Sequence, residues 1–204
     1  MNSQKKILKE LLRKDKKLGP ILDNSKKCPF LQKPIIKEEI LFYELAQSIV
    51  GQQISAKVAD VIWNRLISET KNKKKFLIFI SQSNLKWARK QGLSSRKHEY
   101  IKAIAKKIIS KKLSLESVKS LNDADAKDFL SSLKGVGPWT SEMFLMFAYK
   151  RLDIFSIGDI ALRRAVSEIY DVSKDDQKQI VSIADRWTPY RSIVCWYLWE
   201  HLGV

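Results

Sequence analysis

Residues 130–142 read Leu130-Ser131-Ser132-Leu133-Lys134-Gly135-Val136-Gly137-Pro138-Trp139-Thr140-Ser141-Glu142, and after an apolar run the chain continues Gly158-Asp159-Ile160-Ala161-Leu162-Arg163-Arg164. The first stretch ends a helix pattern at Lys134-Gly135, where glycine supplies a left-handed C-cap. Two glycines one residue apart predict a turn too tight for side chains. Pro138 holds the natural first position of a second helix, where its missing N–H costs nothing. Trp139, Met143, Phe144, Met146 and Phe147 follow at helical spacing. The reading is helix, glycine hairpin, helix. The N–H groups that open the second helix make a phosphate site, and the absent Cβ atoms let a phosphate come close. An ordinary helix–turn–helix with a Gly-Pro start satisfies the same letters, so the downstream element carries weight. There Gly158 breaks the chain, and Asp159 stands at the N-cap of a helix pattern, where helix-end N–H groups and the dipole face a carboxylate.

Outward from this centre the chain is a succession of amphipathic helix patterns. Residues 5–18 pair Ile7, Leu8, Leu11 and Leu12 with lysines until Gly19-Pro20, and residues 23–34 read as an irregular connection. From Glu38, Leu41, Leu45 and Ile49 recur with Phe42 and Ala46 beside them. Gly51-Gln52-Gln53 breaks that helix, and Ser55 caps the next, whose inner stripe is Val58, Val61, Ile62 and Leu66. Residues 71–75 read as a basic, solvated loop. Residues 76–80 are short and apolar enough for a strand, but their helical neighbours favour a buried helix. A short helix over 84–90 ends at Gly92, and Ser94 or Ser95 starts another with Ile101, Ile104, Ala105 and Ile108 inside. Asn122-Asp123 cap the first hairpin helix, and Ser173 and Asp176 bracket a capped start for residues 174–187. Thr188-Pro189 begins the last helix as N-cap and N1, with Trp196, Tyr197 and Trp199 as core residues. The expected fold is all-α, about ten helices in two lobes with a helix-hairpin-helix motif at a cleft. Residues 1–37 form an N-terminal helix and connection packed on the core, and residues 38–204 one compact domain.

With 204 residues, 45% of them hydrophobic, there is material for one domain or two small lobes. Lysine and arginine number 38 against 22 acidic residues, a formal charge of +16. Solubility or a lysine-rich proteome accounts for much of that excess; a polyanionic partner is the sharper explanation. Cys28 and Cys195 lie far apart and form neither a disulfide framework nor a metal-spaced cluster, which suits a reducing compartment. Two cysteines also exclude a four-cysteine iron–sulfur cluster. His98 and His201 are too isolated to be a ligand set and read as surface or rim residues. The N-terminus lacks a long apolar signal region, and no apolar span reaches membrane length. A cytoplasmic protein is expected, or a nuclear one in a eukaryote.

The stretch 133–141, Leu-Lys-Gly-Val-Gly-Pro-Trp-Thr-Ser, followed by Asp159, resembles the helix-hairpin-helix signature of the HhH-GPD superfamily of DNA glycosylases. Within it the chain is most similar to the alkylation-repair branch, that of 3-methyladenine DNA glycosylase II. The likeness takes in Leu41-Phe42-Tyr43-Glu44-Leu45-Ala46, Val50-Gly51-Gln52-Gln53-Ile54-Ser55, Gly92-Leu93-Ser94-Ser95-Arg96-Lys97 and Pro189-Tyr190-Arg191-Ser192, in the family's order, over roughly residues 40–200. An N-terminal β domain, which one branch adds, is not expected.

The resemblance implies roles. Asp159 would be the catalytic carboxylate. Trp139 and Tyr190 would line the pocket for a flipped base. Gln53 would be the wedge that fills the gap in the stack, with Gln52 as its neighbour or as a glutamine bonding loop backbone. Ser94 and Ser95 would touch the minor groove, and Lys134, Gly135, Gly137 and Thr140 would grip the backbone. Relatives also hold a monovalent cation, sodium or potassium, on hairpin carbonyls near the Gly135 position; no cofactor and no iron–sulfur cluster are required. Members that cut the DNA strand carry a lysine where this chain has Trp139, and tryptophan forms no Schiff base. The implied activity is monofunctional excision of alkylated purines from double-stranded DNA by a monomer. A non-catalytic helix-hairpin-helix DNA-binding module, or a glycosylase for oxidised or mismatched bases, are the alternatives.

Overall fold

Eleven α-helices and three short 3-10 turns make up the computed structural model, which describes residues 3–23, 25–70 and 72–203 and holds no strand among them. In order they are α1 (Ser3–Lys14), α2 (Glu38–Gly51), α3 (Ala56–Ser68), α4 (Lys73–Gln82), α5 (Leu85–Lys90) and α6 (Ser95–Ile109). They continue as α7 (Asp123–Ser131), α8 (Pro138–Phe147), α9 (Ile160–Tyr170), α10 (Gln177–Asp185) and α11 (Arg191–Leu202). The expected all-α class is what folds. The chain divides into two compact units, Met1–Pro34 with Leu145–Val204, and Ile35–Phe144.

In the unit of residues 35–144, α2 packs against α3, α4 and α6. Its apolar positions Leu41, Phe42, Leu45, Ala46 and Ile49 are all buried, and each fully buried Leu or Ile contributes about 1.5–3 kcal/mol. Phe76 meets Phe42, Tyr43 and Trp63 with ring centroids 5.3–5.9 Å apart. Ile101, Ile104, Ala105 and Ile108 are the inner face of α6, as their spacing predicts. Side chains of Ser55, Asn72, Asn84, Ser94 and Asn122 each accept an N–H from the first turn of the following helix.

Several expectations shift. In α3, Val58 and Val61 are exposed while Trp63 and Leu66 are buried. The large Trp63 ring buries more surface against Tyr43 and Phe76 than a valine can, and it turns the helix accordingly. Residues 73–75 are not loop but the first turn of α4, because Asn72 caps them; Lys71, like Asn24 in the irregular connection, lies outside the described residues. Residues 76–80 are helical, as expected. His98 is not a surface residue: it is 3% exposed and its Nε2 meets Ser83 Oγ at 2.8 Å. The first hairpin helix stops at Ser131, earlier than the Lys134-Gly135 boundary, and residues 132–137 form the turn.

In the other unit α9 packs against α10 and α11. Ile7, Leu8 and Leu11 of α1 are buried. Asp15, just after it, is buried and accepts Tyr170 Oη–H at 2.7 Å and Trp187 Nε1–H at 3.2 Å. Burial pushes the Tyr170 hydroxyl far above the usual range, and acceptance of its proton by Asp15 adds to this. Helix α10 starts at Gln177, later than residue 174, because Asp176 makes its cap bond to Gln179 N–H. Helix α11 likewise starts at Arg191 and not at Pro189. The Arg191 N–H donates to Asp153 Oδ1 and the Ser192 N–H to the Leu152 carbonyl, so the 152–153 loop satisfies the opening amides that Thr188 was expected to cap. Trp196 and Trp199 are half-buried and only Tyr197 is core. Cys28 and Cys195 are buried, the Cys195 thiol donating to the Ile154 carbonyl at 3.7 Å, and burial pushes the Cys28 thiol up to about 11. Among the described residues no helix is long and apolar enough to cross a membrane.

Candidate active site and nucleic-acid interface

The unit of residues 35–144 brings three loops together around a cleft of about 590 Å³. The Gly51-Gln52-Gln53 turn, the start of α6 and the glycine hairpin supply Gln52, Gln53, Ser94, Lys97, Tyr100, Gly135, Gly137, Trp139 and Thr140. The hairpin is held from within. Glu142 is buried and pairs with Lys127 Nζ, and Ser141 Oγ meets both Ser131 Oγ and the Gly137 carbonyl. Its two glycines differ. Gly135 has φ +91° and its missing Cβ would fall inside the Tyr100 ring, so a side chain is barred there. Gly137 faces open space, so its bareness answers no demand of the fold and leaves the start of α8 approachable.

Gln52 is committed to structure. Its Nε2 donates to the Gly135 carbonyl at 2.9 Å and to Thr140 Oγ1 at 3.0 Å, so it is the glutamine bonding loop backbone. Gln53 is exposed and left-handed, with φ +58°. Lys97 Nζ donates to the carbonyls of Val50 and Gln52, and burial lowers its pKa below the usual lysine range. Ser94 caps α6 and stays exposed, whereas Ser95 accepts two bonds from Arg89. Lys134 is exposed, with its ammonium 5.8 Å from the Tyr100 ring centre. Thr140 is buried; Trp139 is 39% exposed on the cleft. The Gly135 carbonyl is engaged by Gln52, and that of Gly137 accepts both the N–H and Oγ–H of Ser141.

In the other unit Asp159 is the N-cap of α9, its Oδ1 accepting Leu162 N–H at 2.9 Å. The same oxygen receives Trp199 Nε1–H at 3.4 Å. The Trp199 ring lies 5.9 Å from Phe147, which stands edge-on to Phe30 at 5.0 Å. A half-buried carboxylate beside a half-exposed indole and Phe147 can hold a developing positive charge next to an aromatic surface. Sequence reading missed Trp199 for this place: nothing in a helical apolar stripe marks which tryptophan turns its N–H toward a cap forty residues upstream. Tyr190 is half-buried at the N-cap of α11, and Arg191 beside it forks onto Asp153 at 2.9 and 3.1 Å.

Residues 46–189 match the HhH-GPD superfamily base excision DNA repair protein family. The chain belongs to this family. A DNA-3-methyladenine glycosylase of Saccharomyces cerevisiae is 26% identical over 227 residues, covering 93% of this chain and 77% of the relative. The structure of a Bacillus halodurans DNA-3-methyladenine glycosidase superposes with TM-score 0.79 at 29% identity, covering 97% of this chain and 89% of the other. The Schizosaccharomyces pombe 3-methyladenine DNA glycosylase in complex with abasic DNA superposes with TM-score 0.80 at 26% identity, over 98% and 97% of the two chains. The HhH-GPD match takes in the glycine hairpin, the Gln52-Gln53 turn and Asp159 alike.

Proposed function

We propose that this HhH-GPD chain is a monofunctional DNA glycosylase that excises alkylated purines of the 3-methyladenine type from double-stranded DNA and leaves abasic sites for base excision repair. The observation that carries this reading is Asp159, fixed at the start of α9 and met by the Trp199 indole N–H. A base inside a duplex cannot be reached, so the nucleotide must swing out of the stack. The hairpin at Gly135, Gly137 and Thr140, with Lys134, grips the backbone; Gln53 enters the vacated stack and Ser94 borders the groove. In this reading Trp139 and Tyr190 serve the flipped base, and Trp199 is a further aromatic beside Asp159. A purine methylated on a ring nitrogen is cationic, so an electron-rich ring attracts it.

The bond between base and sugar then breaks, its electron pair leaving with the base and neutralising it. The sugar passes through an oxocarbenium-like state. The Asp159 carboxylate stabilises that charge and orients the attacking water, whose proton is released as the abasic sugar forms. A cationic base already leaves easily, so no strong general acid is called for. Trp139 stands where a strand-cutting enzyme needs a lysine, so the reaction stops at base release. No cofactor takes part. We propose a monomer working in the cytoplasm, or in the nucleus of a eukaryote; its two buried cysteines suit a reducing compartment.

The test is DNA carrying N-methylated purines, scored for free base and abasic sites. Wild type releases base without strand cleavage unless alkali is added. Asp159→Asn keeps DNA binding and loses about 10²–10³-fold in rate, the scale of removing one preorganised charge-stabilising group. No release by wild type would leave a helix-hairpin-helix DNA-binding module instead.

A further inference from the structure

Lys97 is placed against its own helix. It sits in the first turn of α6, where the positive end of the helix dipole disfavours an ammonium. Its charge is answered elsewhere: Nζ donates to the Val50 carbonyl at 2.8 Å and to the Gln52 carbonyl at 2.6 Å. Val50 belongs to the last turn of α2 and Gln52 is its C-cap, so the ammonium closes the negative end of that helix. The next residue, Gln53, holds φ +58°, which costs a non-glycine residue about 1–2 kcal/mol and persists only where neighbours enforce it. One neighbour is the Gln52 side chain, tied to Gly135 and Thr140. The other is Lys97. Three residues on along α6, Tyr100 lies against Gly135 and excludes any side chain there. One face of α6 thus seats both loops.

We propose that Lys97 is a positioning residue for base flipping: by clamping the two carbonyls before Gln53 it holds the left-handed turn that projects this side chain, so that Gln53 enters the stack already formed. This rests on the glycosylase reading and on Gln53 as the wedge. Lys97 then acts on opening of the base pair and not on bond cleavage.

The experiment compares Lys97→Met, Lys97→Arg and Gln53→Ala with wild type on two duplexes, one with 7-methylguanine paired to cytosine, one with the same lesion opposite an abasic analogue. In the second, the pair needs no breaking. Lys97→Met is expected to lose about tenfold or more in kcat/KM on the paired lesion and less than about twofold on the unpaired one, because flipping and not chemistry is impaired. Gln53→Ala reproduces that pattern, and Lys97→Arg, which keeps a donor, stays near wild type. Equal losses on both substrates, no loss at all, or a silent Gln53→Ala beside a defective Lys97→Met would each overturn the proposal. Amide hydrogen exchange gives a readout independent of activity: Lys97→Met speeds exchange at residues 52–54 and leaves the α8 amides unchanged, and unchanged exchange at 52–54 overturns it. Absence of excision of every N-methylated purine by wild type would instead sink the glycosylase reading, with exchange still deciding the place of Lys97.

Discussion

Gly135 and Gly137 look alike in the sequence and answer to different demands. A methyl at 135 meets the Tyr100 ring on a backbone with φ +91°, so Gly135→Ala is expected to lower unfolding free energy by about 2 kcal/mol or more in a denaturant titration. A methyl at 137 meets nothing of the protein. Gly137→Ala should therefore stay within about 0.5 kcal/mol of wild type while weakening binding to duplex DNA, measured by fluorescence anisotropy. His98 carries a second prediction. Burial, then the nearby Lys102 charge, lower its pKa below 6.5, so the native state holds this imidazole neutral beside Ser83. As pH falls below the unfolded value of 6.5, the unfolded chain binds a proton that the folded one refuses, and stability declines. Thermal unfolding should show this decline below pH 6.5, and His98→Gln should flatten it. Both glycines were legible as a hairpin, and His98 was not legible as core, because burial of one histidine depends on which partner another element brings to it.

At the scale of elements, the caps explain where reading along the chain succeeds and where it slips. Ser55, Asn122 and Asp159 cap the helices they precede, because an N-cap bond closes within three residues and needs nothing distant. The start of α11 failed the same logic, since its opening amides go to Asp153 and Leu152. Helix α3 failed through packing: its outward face carries Val58 and Val61, its inward face Trp63 and Leu66. Leu66→Ala is expected to cost about 2–5 kcal/mol, as for other fully buried leucines, whereas Val58→Ala should change stability by less than about 0.5 kcal/mol. Equal effects in a urea titration would show that the inner face has been misassigned. Trp199 illustrates the same limit at the site, since only the approach of α11 to the start of α9 sets its indole N–H on Asp159.

At the scale of the molecule, the charge of +16 implies long-range attraction to a polyanion. Each phosphate contact contributes a slope of about −0.9 in log K against log salt, so a protein gripping a few phosphates should show a slope of about −3 to −5 on duplex DNA. A flat dependence would mean the excess charge serves only solubility. Gly137→Ala should lower affinity without changing that slope.

Residues alone determined the all-helical class, the hairpin, the Asp159 cap and the charge, because helix periodicity, glycine freedom and capping are interactions among near neighbours in the chain. Tertiary structure decided that Gln52 serves the hairpin, that Lys97 closes α2, that Trp199 faces Asp159 and that His98 is buried. Each of those is a bond or contact between residues fifteen to nearly ninety positions apart. Such pairs are fixed only when packed helices choose one geometry, and no local pattern of letters carries that choice.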